Sequence, residues 1–276
     1  MARPLEAVTL PTGRLRFARA GCGPDLVLLH GLLGNERQWA AAVARWAPEF
    51  TCWSLELPGI GASDRYPDPS LAGLSRWLAA AVAALGLSEF SLLGSSWGGA
   101  LALAFAASSF GDGHVRRLLL AAPAHPFWTP SRRQRFMMTA GGARAGAWVG
   151  ACLPTGVHRR LLGTIFGDPS RLDPALIPPY TETLRRPGLG AAVAAYCRHW
   201  PRQRAALRAQ LAACRLPVLL LWGDRDPVVP VGTAAALRDA LPNARLGVLA
   251  GLGHIAFAED PDAFVAAAGG FLAEDR

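Results

Sequence analysis

Lysine is absent from this 276-residue chain, so its formal net charge of +8 rests on 28 arginines against 20 acidic residues. Beside the abundance of alanine, this is read as a compositional bias more than an electrostatic adaptation. Cysteine is scarce and unpatterned. Cys22, Cys52, Cys152, Cys197 and Cys214 are odd in number and irregularly spaced, with no C-x-x-C and no Cys/His cluster. This argues against a structural zinc or a dithiol redox centre, and predicts buried, reduced thiols. No apolar run approaches the roughly 18 residues that a membrane-spanning helix requires. Met1 to Gly13 has no apolar core of a signal peptide, so the expectation is a soluble, cytoplasmic protein. Basic and aromatic residues do not interleave regularly and no nucleic-acid motif occurs, which makes DNA and RNA unexpected partners. Internal repeats and low-complexity linkers are also missing.

What the chain does have is apolar bulk, 51% of its residues, enough for one large core. Short apolar runs alternate with alanine- and leucine-rich stretches, the pattern of an α/β protein with a doubly wound, mostly parallel sheet covered on both faces. Strands are expected at Asp25 to Leu29, Phe50 to Leu55, Phe90 to Leu93, Val115 to Leu120, Val218 to Trp222 and Ala244 to Leu249. Gly13 to Ala20 and the segment before it read as an antiparallel edge hairpin. Ser70 to Leu85 sets Leu71, Leu74, Leu78, Ala81, Val82 and Leu85 on one helical face, and Gly86 ends it. Asp260-Pro261 is a capping residue followed by proline at the first helical position, the start of the last helix. Between about His125 and Ala213 the alternation stops, with scattered prolines, arginines and aromatics and no strand run. The expected organisation is a core of residues 1–124 and 214–276 with a helical cap, 125–213, inserted between two core strands. That segment holds 13 arginines against 3 acidic residues, while the remainder holds 15 against 17. The basicity is therefore local. An insertion leaving from the carboxyl ends of the strands would sit over the ligand site of an open α/β sheet.

Gly94-Ser95-Ser96-Trp97-Gly98 carries the chemistry. It sets a serine between glycines, after an apolar strand run and before a helix-forming run, as a sharp strand-to-helix turn requires. A helix starting there aims unpaired N–H groups at the serine oxygen. A serine hydroxyl needs a base to take its proton and an acid to orient that base. Downstream, Trp222-Gly223-Asp224-Arg225-Asp226-Pro227 runs from a strand into an acidic turn, and Gly251-Leu252-Gly253-His254 places a histidine in a glycine-rich loop.

With His30-Gly31-Leu32-Leu33-Gly34 after a strand, Leu57-Pro58-Gly59-Ile60-Gly61-Ala62-Ser63, and Glu259 and Pro261 following Gly253-His254, these ordered motifs resemble the α/β-hydrolase superfamily across the whole sheet region. The resemblance implies Ser96 as nucleophile, Asp226 as acid and His254 as base, with the backbone N–H groups of Leu32 and Trp97 as oxyanion donors. Asp226, before Pro227, matches the family position; Asp224 is assigned to capping the turn. His30 is structural by the same likeness, and His114, His125, His158 and His199 are unassigned. Glu56 stands where relatives usually have aspartate, which puts a loop hydrogen bond in question. No cofactor and no metal are implied. The expected activity is hydrolysis of a small, hydrophobic carboxylic ester or related acyl compound through an acyl-enzyme. Alternatives are carbon–carbon bond hydrolysis or a perhydrolase using the same triad, and a noncatalytic ligand receptor or scaffold. Epoxide hydrolase and haloalkane dehalogenase chemistry needs an aspartate where Ser96 stands. The arginines at 132, 133, 135, 159, 160, 185 and 186 read either as a solvated surface or as a weak attraction for anionic substrates or an anionic surface.

Overall fold

The computed structural model describes residues 4–198 and 200–274, so His199 and both extreme termini lie outside the described residues. The strands are β1 (Glu6–Leu10), β2 (Gly13–Ala20), β3 (Asp25–Leu29), β4 (Thr51–Leu55), β5 (Phe90–Ser95), β6 (Val115–Ala121), β7 (Val218–Gly223) and β8 (Ala244–Leu249). They form one sheet in the order β1-β2-β4-β3-β5-β6-β7-β8. β1 pairs antiparallel with β2 and β2 with β4, and the remaining pairs are parallel. The antiparallel edge hairpin and the six expected parallel strands are all present, each of the six within two residues of its expected ends.

Side-chain alternation divides the core into two layers. Val27 and Leu29 of β3 join a cluster with α2 (Leu71–Ala84) and α3 (Ser96–Ala106), while Leu26 and Leu28 join one with α1 (Ala40–Trp46) and α12 (Pro261–Ala273). A strand buried on both faces is apolar at most positions, which is why these strands read as largely apolar runs. The helix ends follow the capping residues. Ser70 accepts from the Gly73 N–H at the start of α2, Gly86 at φ 72° turns the chain at its end, and Asp260 accepts from the Ala263 N–H at the start of α12.

Between β6 and β7 the described chain is helical: α4 (Arg132–Met137), α5 (Ala140–Cys152), α6 (Thr155–Gly163), α7 (Ile177–Leu184), α8 (Leu189–Cys197) and α9 (Trp200–Gln210). α10 (Ala234–Ala240) and α11 (Ala256–Glu259) complete the set. α5 and α8 approach closely through small residues; a Cβ on Gly190 would lie 2.8 Å from the Ala143 carbonyl oxygen. No described helix is long and apolar enough to cross a membrane. The five cysteines are unpaired, but Cys22 and Cys152 are exposed, which corrects the expectation of uniformly buried thiols.

The chain runs from β3 to the outer β4 and returns past β3 to β5. Leu29 of β3 lies opposite Gly94 of β5, so the loop after β3 and the β5–α3 turn meet at the carboxyl edge where the strand order reverses.

Candidate active site

β5 passes directly into α3 at Ser96, whose φ of 53° is left-handed and uncommon for a residue with a side chain. The neighbouring glycines make that turn possible. A Cβ on Gly98 would lie 2.4 Å from the His30 carbonyl oxygen, and one on Gly94 would lie 2.4 Å from the Gly98 carbonyl oxygen. Backbone atoms cannot yield as a flexible side chain would, so both positions demand glycine. Trp97 follows in the first turn of α3, where backbone N–H groups have no acceptor within the helix. Helix formation begins at Ser96 itself, three residues before the alanine-rich run that signalled it.

Asp226, at the turn after β7, and His254, after β8, are brought together from 28 residues apart. His254 Nδ1 lies 2.8 Å from Asp226 Oδ2, both side chains being buried. Asp226 Oδ1 accepts from the N–H groups of Val228 (2.7 Å) and Val229 (3.0 Å), which aims the other oxygen at the ring. The two acceptor roles leave Nδ1–H as the donor, so Nε2 is the unprotonated nitrogen when the ring is neutral. Asp224 does not cap its own turn. It accepts from the Gly251 N–H at 2.7 Å and ties the end of β7 to the loop that carries His254.

Ser96, His254, Leu32 and Trp97 line one cavity of about 320 Å³, walled from the helical side by Met138, Leu184, Leu189 and Val193. Ser96, His254 and Leu32 also border a second space of about 80 Å³ that reaches toward Asn35, Leu162 and Pro179. The two lobes share Tyr180 and Ile165, so Ser96 and His254 stand at their junction. Trp97 is buried against Trp200, ring centres 5.0 Å apart, and also faces the larger lobe, so packing and cavity wall are one role here.

Other residues hold the site through bonds that motif reading does not indicate. Glu259 is buried and its carboxylate accepts three backbone N–H groups, from Gly253 (2.8 Å), Gly167 (3.0 Å) and Asp168 (2.8 Å). It thereby fastens the His254 loop to the segment after α6, reinforced by the His254 N–H donating to the Ile165 carbonyl at 2.7 Å. Asn35 donates to the Pro179 carbonyl (2.8 Å) and to Thr183 Oγ1 (2.9 Å), linking the β3 loop to α7. The partners of Glu259 and Asn35 are up to 148 residues away in the chain, beyond the reach of local pattern. Glu56 resolves the doubt raised by its extra methylene. It accepts from the Glu36 N–H at 2.6 Å and from the Ala62 N–H, and Gly61 provides the room, since a Cβ there would lie 2.0 Å from Glu56 Oε2.

His30 is fully buried, with Nδ1 donating to the Gly31 carbonyl at 2.8 Å and Nε2 accepting from the Leu57 N–H at 3.0 Å. Both nitrogens are used by the backbone, and burial lowers its pKa, so it is a neutral brace for the β3 loop. His125 is also fully buried, 2.9 Å from Thr233 Oγ1 and edge-on to Trp222. Burial pushes its pKa down to about 4, from 6.5 in an unfolded chain. Below pH 6.5 the unfolded state gains a proton that the folded state refuses. Stability contributed by neutral His125 is thus complete above about pH 6.5 and lost toward pH 4, by about 3 kcal/mol. Denaturant unfolding across that range should show the fall, and His125→Gln should flatten it; an unchanged slope would remove His125 as its source. Among the described residues, no group of three His, Cys, Asp or Glu is placed to hold a metal ion.

Comparison with known proteins bears on the family and the fold. A family model described as the alpha/beta hydrolase family matches residues 26–268. Protein Rv2715 of Mycobacterium tuberculosis, itself uncharacterized, is 28% identical over 280 residues, spanning 95% of this chain and 82% of its own. The pimeloyl-acyl-carrier protein methyl ester esterase of Nitrosomonas europaea is 28% identical over 276 residues, covering 91% of this chain and 96% of the esterase. Among solved structures, the ligand-free epoxide hydrolase CorEH superposes with a TM-score of 0.85 at 20% identity over 99% of each chain, a likeness of fold.

Proposed function

Since the chain belongs to the alpha/beta hydrolase family, we propose that it is a serine hydrolase cleaving a carboxylic ester through an acyl-enzyme on Ser96. The observation that carries this reading is the buried His254–Asp226 pair at 2.8 Å, opening on the same cavity as a serine at φ 53°. His254 Nε2 takes the Ser96 proton as the Oγ–C bond forms, and Asp226 stabilises the resulting imidazolium. The N–H groups of Leu32 and Trp97 receive the oxyanion. His254 then returns the proton to the departing alkoxide, completing the acyl-enzyme, and activates a water molecule that releases the acid. Residues 125–213 act as the cap over a core of 1–124 and 214–276, because the cavity has β-strand loops on one side and helices of that segment on the other.

The lobes suggest the substrate's shape. A cavity of about 150 Å³ lined by apolar side chains takes one benzene, so the 320 Å³ lobe has room for roughly a dozen carbons. The 80 Å³ lobe holds about three heavy atoms. An ester with one long apolar arm and one very small arm fits both, and a methyl ester, the kind named for the Nitrosomonas relative, supplies the very small arm.

Two measurements test the reading. An organophosphonate probe should add its mass to the peptide containing Ser96, and labelling that survives in Ser96→Ala would sink the assignment. Within a series of methyl esters, kcat/KM should rise by up to about fourfold per methylene until the large lobe is full, whereas an ester bulky on both arms should be excluded. Faster cleavage of a vinylogous diketone than of any ester would move the reading to carbon–carbon hydrolysis.

A further inference from the structure

We propose that the α4–α5 face docks on an anionic lipid bilayer and turns the mouth of the Ser96 cavity toward the lipid. α4 buries none of its residues, and Phe136 is 60% exposed. α5 buries Gly142, Ala143 and Gly150 but turns Trp148 outward, 72% exposed, with Val149 beside it. Amphipathic helices of a soluble domain bury their large apolar residues and expose the small or polar ones. Here that order is reversed on two consecutive helices that pack against one another. Met137 is exposed on this face and lines the Ser96 cavity as well, so the apolar surface continues into the site.

The charge around this patch has one sign. Arg132, Arg133, Arg135 and Arg144 are exposed, and among the described residues none forms an ion pair. The three acidic residues of the segment are engaged elsewhere. Asp168 and Asp173 accept from the N–H groups of Ser170 and Ala175, and Glu182 faces Arg37 and Arg186. Arg185 donates to the Leu153 carbonyl at the end of α5, which leaves its charge uncompensated there too. Exposed aromatic rings that enter the headgroup layer, surrounded by arginines that meet lipid phosphates, are the ingredients of interfacial binding. A two-fold contact through this face with a second copy of this chain would bring together two patches of the same sign, which is electrostatically unfavourable. The bilayer also matches the apolar cavity, because a long-chain ester dissolves in it. This last consequence rests on the ester-hydrolase reading; the docking itself does not.

The test is co-sedimentation of the full chain with vesicles of phosphatidylcholine containing one third phosphatidylglycerol. The wild type should partition at least about tenfold more strongly into these than into pure phosphatidylcholine, and less as salt rises. The double variant Phe136→Ser/Trp148→Ser should lose about tenfold or more of that partitioning. Arg132→Ser/Arg133→Ser/Arg135→Ser should lose about fivefold per charge on the anionic vesicles and little on the neutral ones. Both variants should retain turnover of a water-soluble short-chain ester, which shows that they fold. Ser96→Ala should sediment like the wild type, so failure of the hydrolase reading and failure of docking are separately visible. Absence of wild-type partitioning, or partitioning unchanged in both multiple variants, would overturn the proposal. A dimer dissolved by Phe136→Ser/Trp148→Ser without vesicle binding would assign the face to a second copy instead.

Discussion

Ser96→Ala should lower kcat on a carboxylic ester by about 10⁴- to 10⁶-fold while the protein stays folded. The loss is large because the hydroxyl is the only atom removed, yet every later step on the proposed route passes through its bond to the acyl carbon. The rest of the site is expected to persist: the Asp226 bonds to His254, Val228 and Val229 do not involve Ser96, and the turn is held by glycines packed against backbone. Alanine meets the same left-handed φ as serine, so backbone strain is unchanged and the unfolding midpoint should move little. Donors at Leu32 and Trp97 and the binding lobes would leave a small residual rate over water. Steady-state kinetics on a p-nitrophenyl ester, with denaturant unfolding as control, measures both quantities. A variant that keeps more than a hundredth of the wild-type kcat would overturn the assignment of Ser96 as nucleophile.

The parts of this molecule that sequence makes legible are those with a local physical cause. β3, β5 and β7 are buried along both faces and hence largely apolar, with Asp25 at the start of β3 and Ser91 and Ser95 in β5 as the polar exceptions, and Ser70, Gly86 and Asp260 mark helix ends through their own caps and turns. Gly94 is legible for the same reason, since its steric demand acts within five residues, whereas Gly98 is required by the distant backbone of Leu29 and His30 and is legible only through the motif. Where bonding spans the chain, local reading fails. Nothing near Glu259 in sequence indicates that it collects N–H groups from both sides of the cavity, and Asp224 was assigned to its own turn although its partner is Gly251. The helical segment is the extreme case. Its arginine excess could be counted, but the placement of Phe136 and Trp148 outside and Met138 inside depends on how α4 packs on α5 and α5 on α7 and α8. That arrangement follows from small residues meeting across helices, a signal indistinguishable in sequence from general alanine richness.

Asp226→Asn is the sharper probe of the acid–base pair, because it removes a charge without removing a shape. Asp226 uses one oxygen for two backbone N–H groups and the other for His254 Nδ1. An asparagine keeps the first arrangement only by giving its carbonyl oxygen to Val228 and Val229, which turns its NH₂ group toward the imidazole. Nδ1 must then accept, the proton moves to Nε2, and the nitrogen facing the cavity can no longer take the serine proton. The flipped rotamer offers no escape, since it points NH₂ at two N–H donors in a buried turn and leaves them unpaired, at a cost of about 1–3 kcal/mol. The expected result is a fall in kcat of about 10⁴-fold with KM for the ester almost unchanged, as the lobes that bind it are untouched. Phosphonate labelling of Ser96 should slow in parallel. A purely structural role for Asp226 would instead lower stability and raise KM together, and a kcat within tenfold of wild type would exclude the orienting role for its carboxylate.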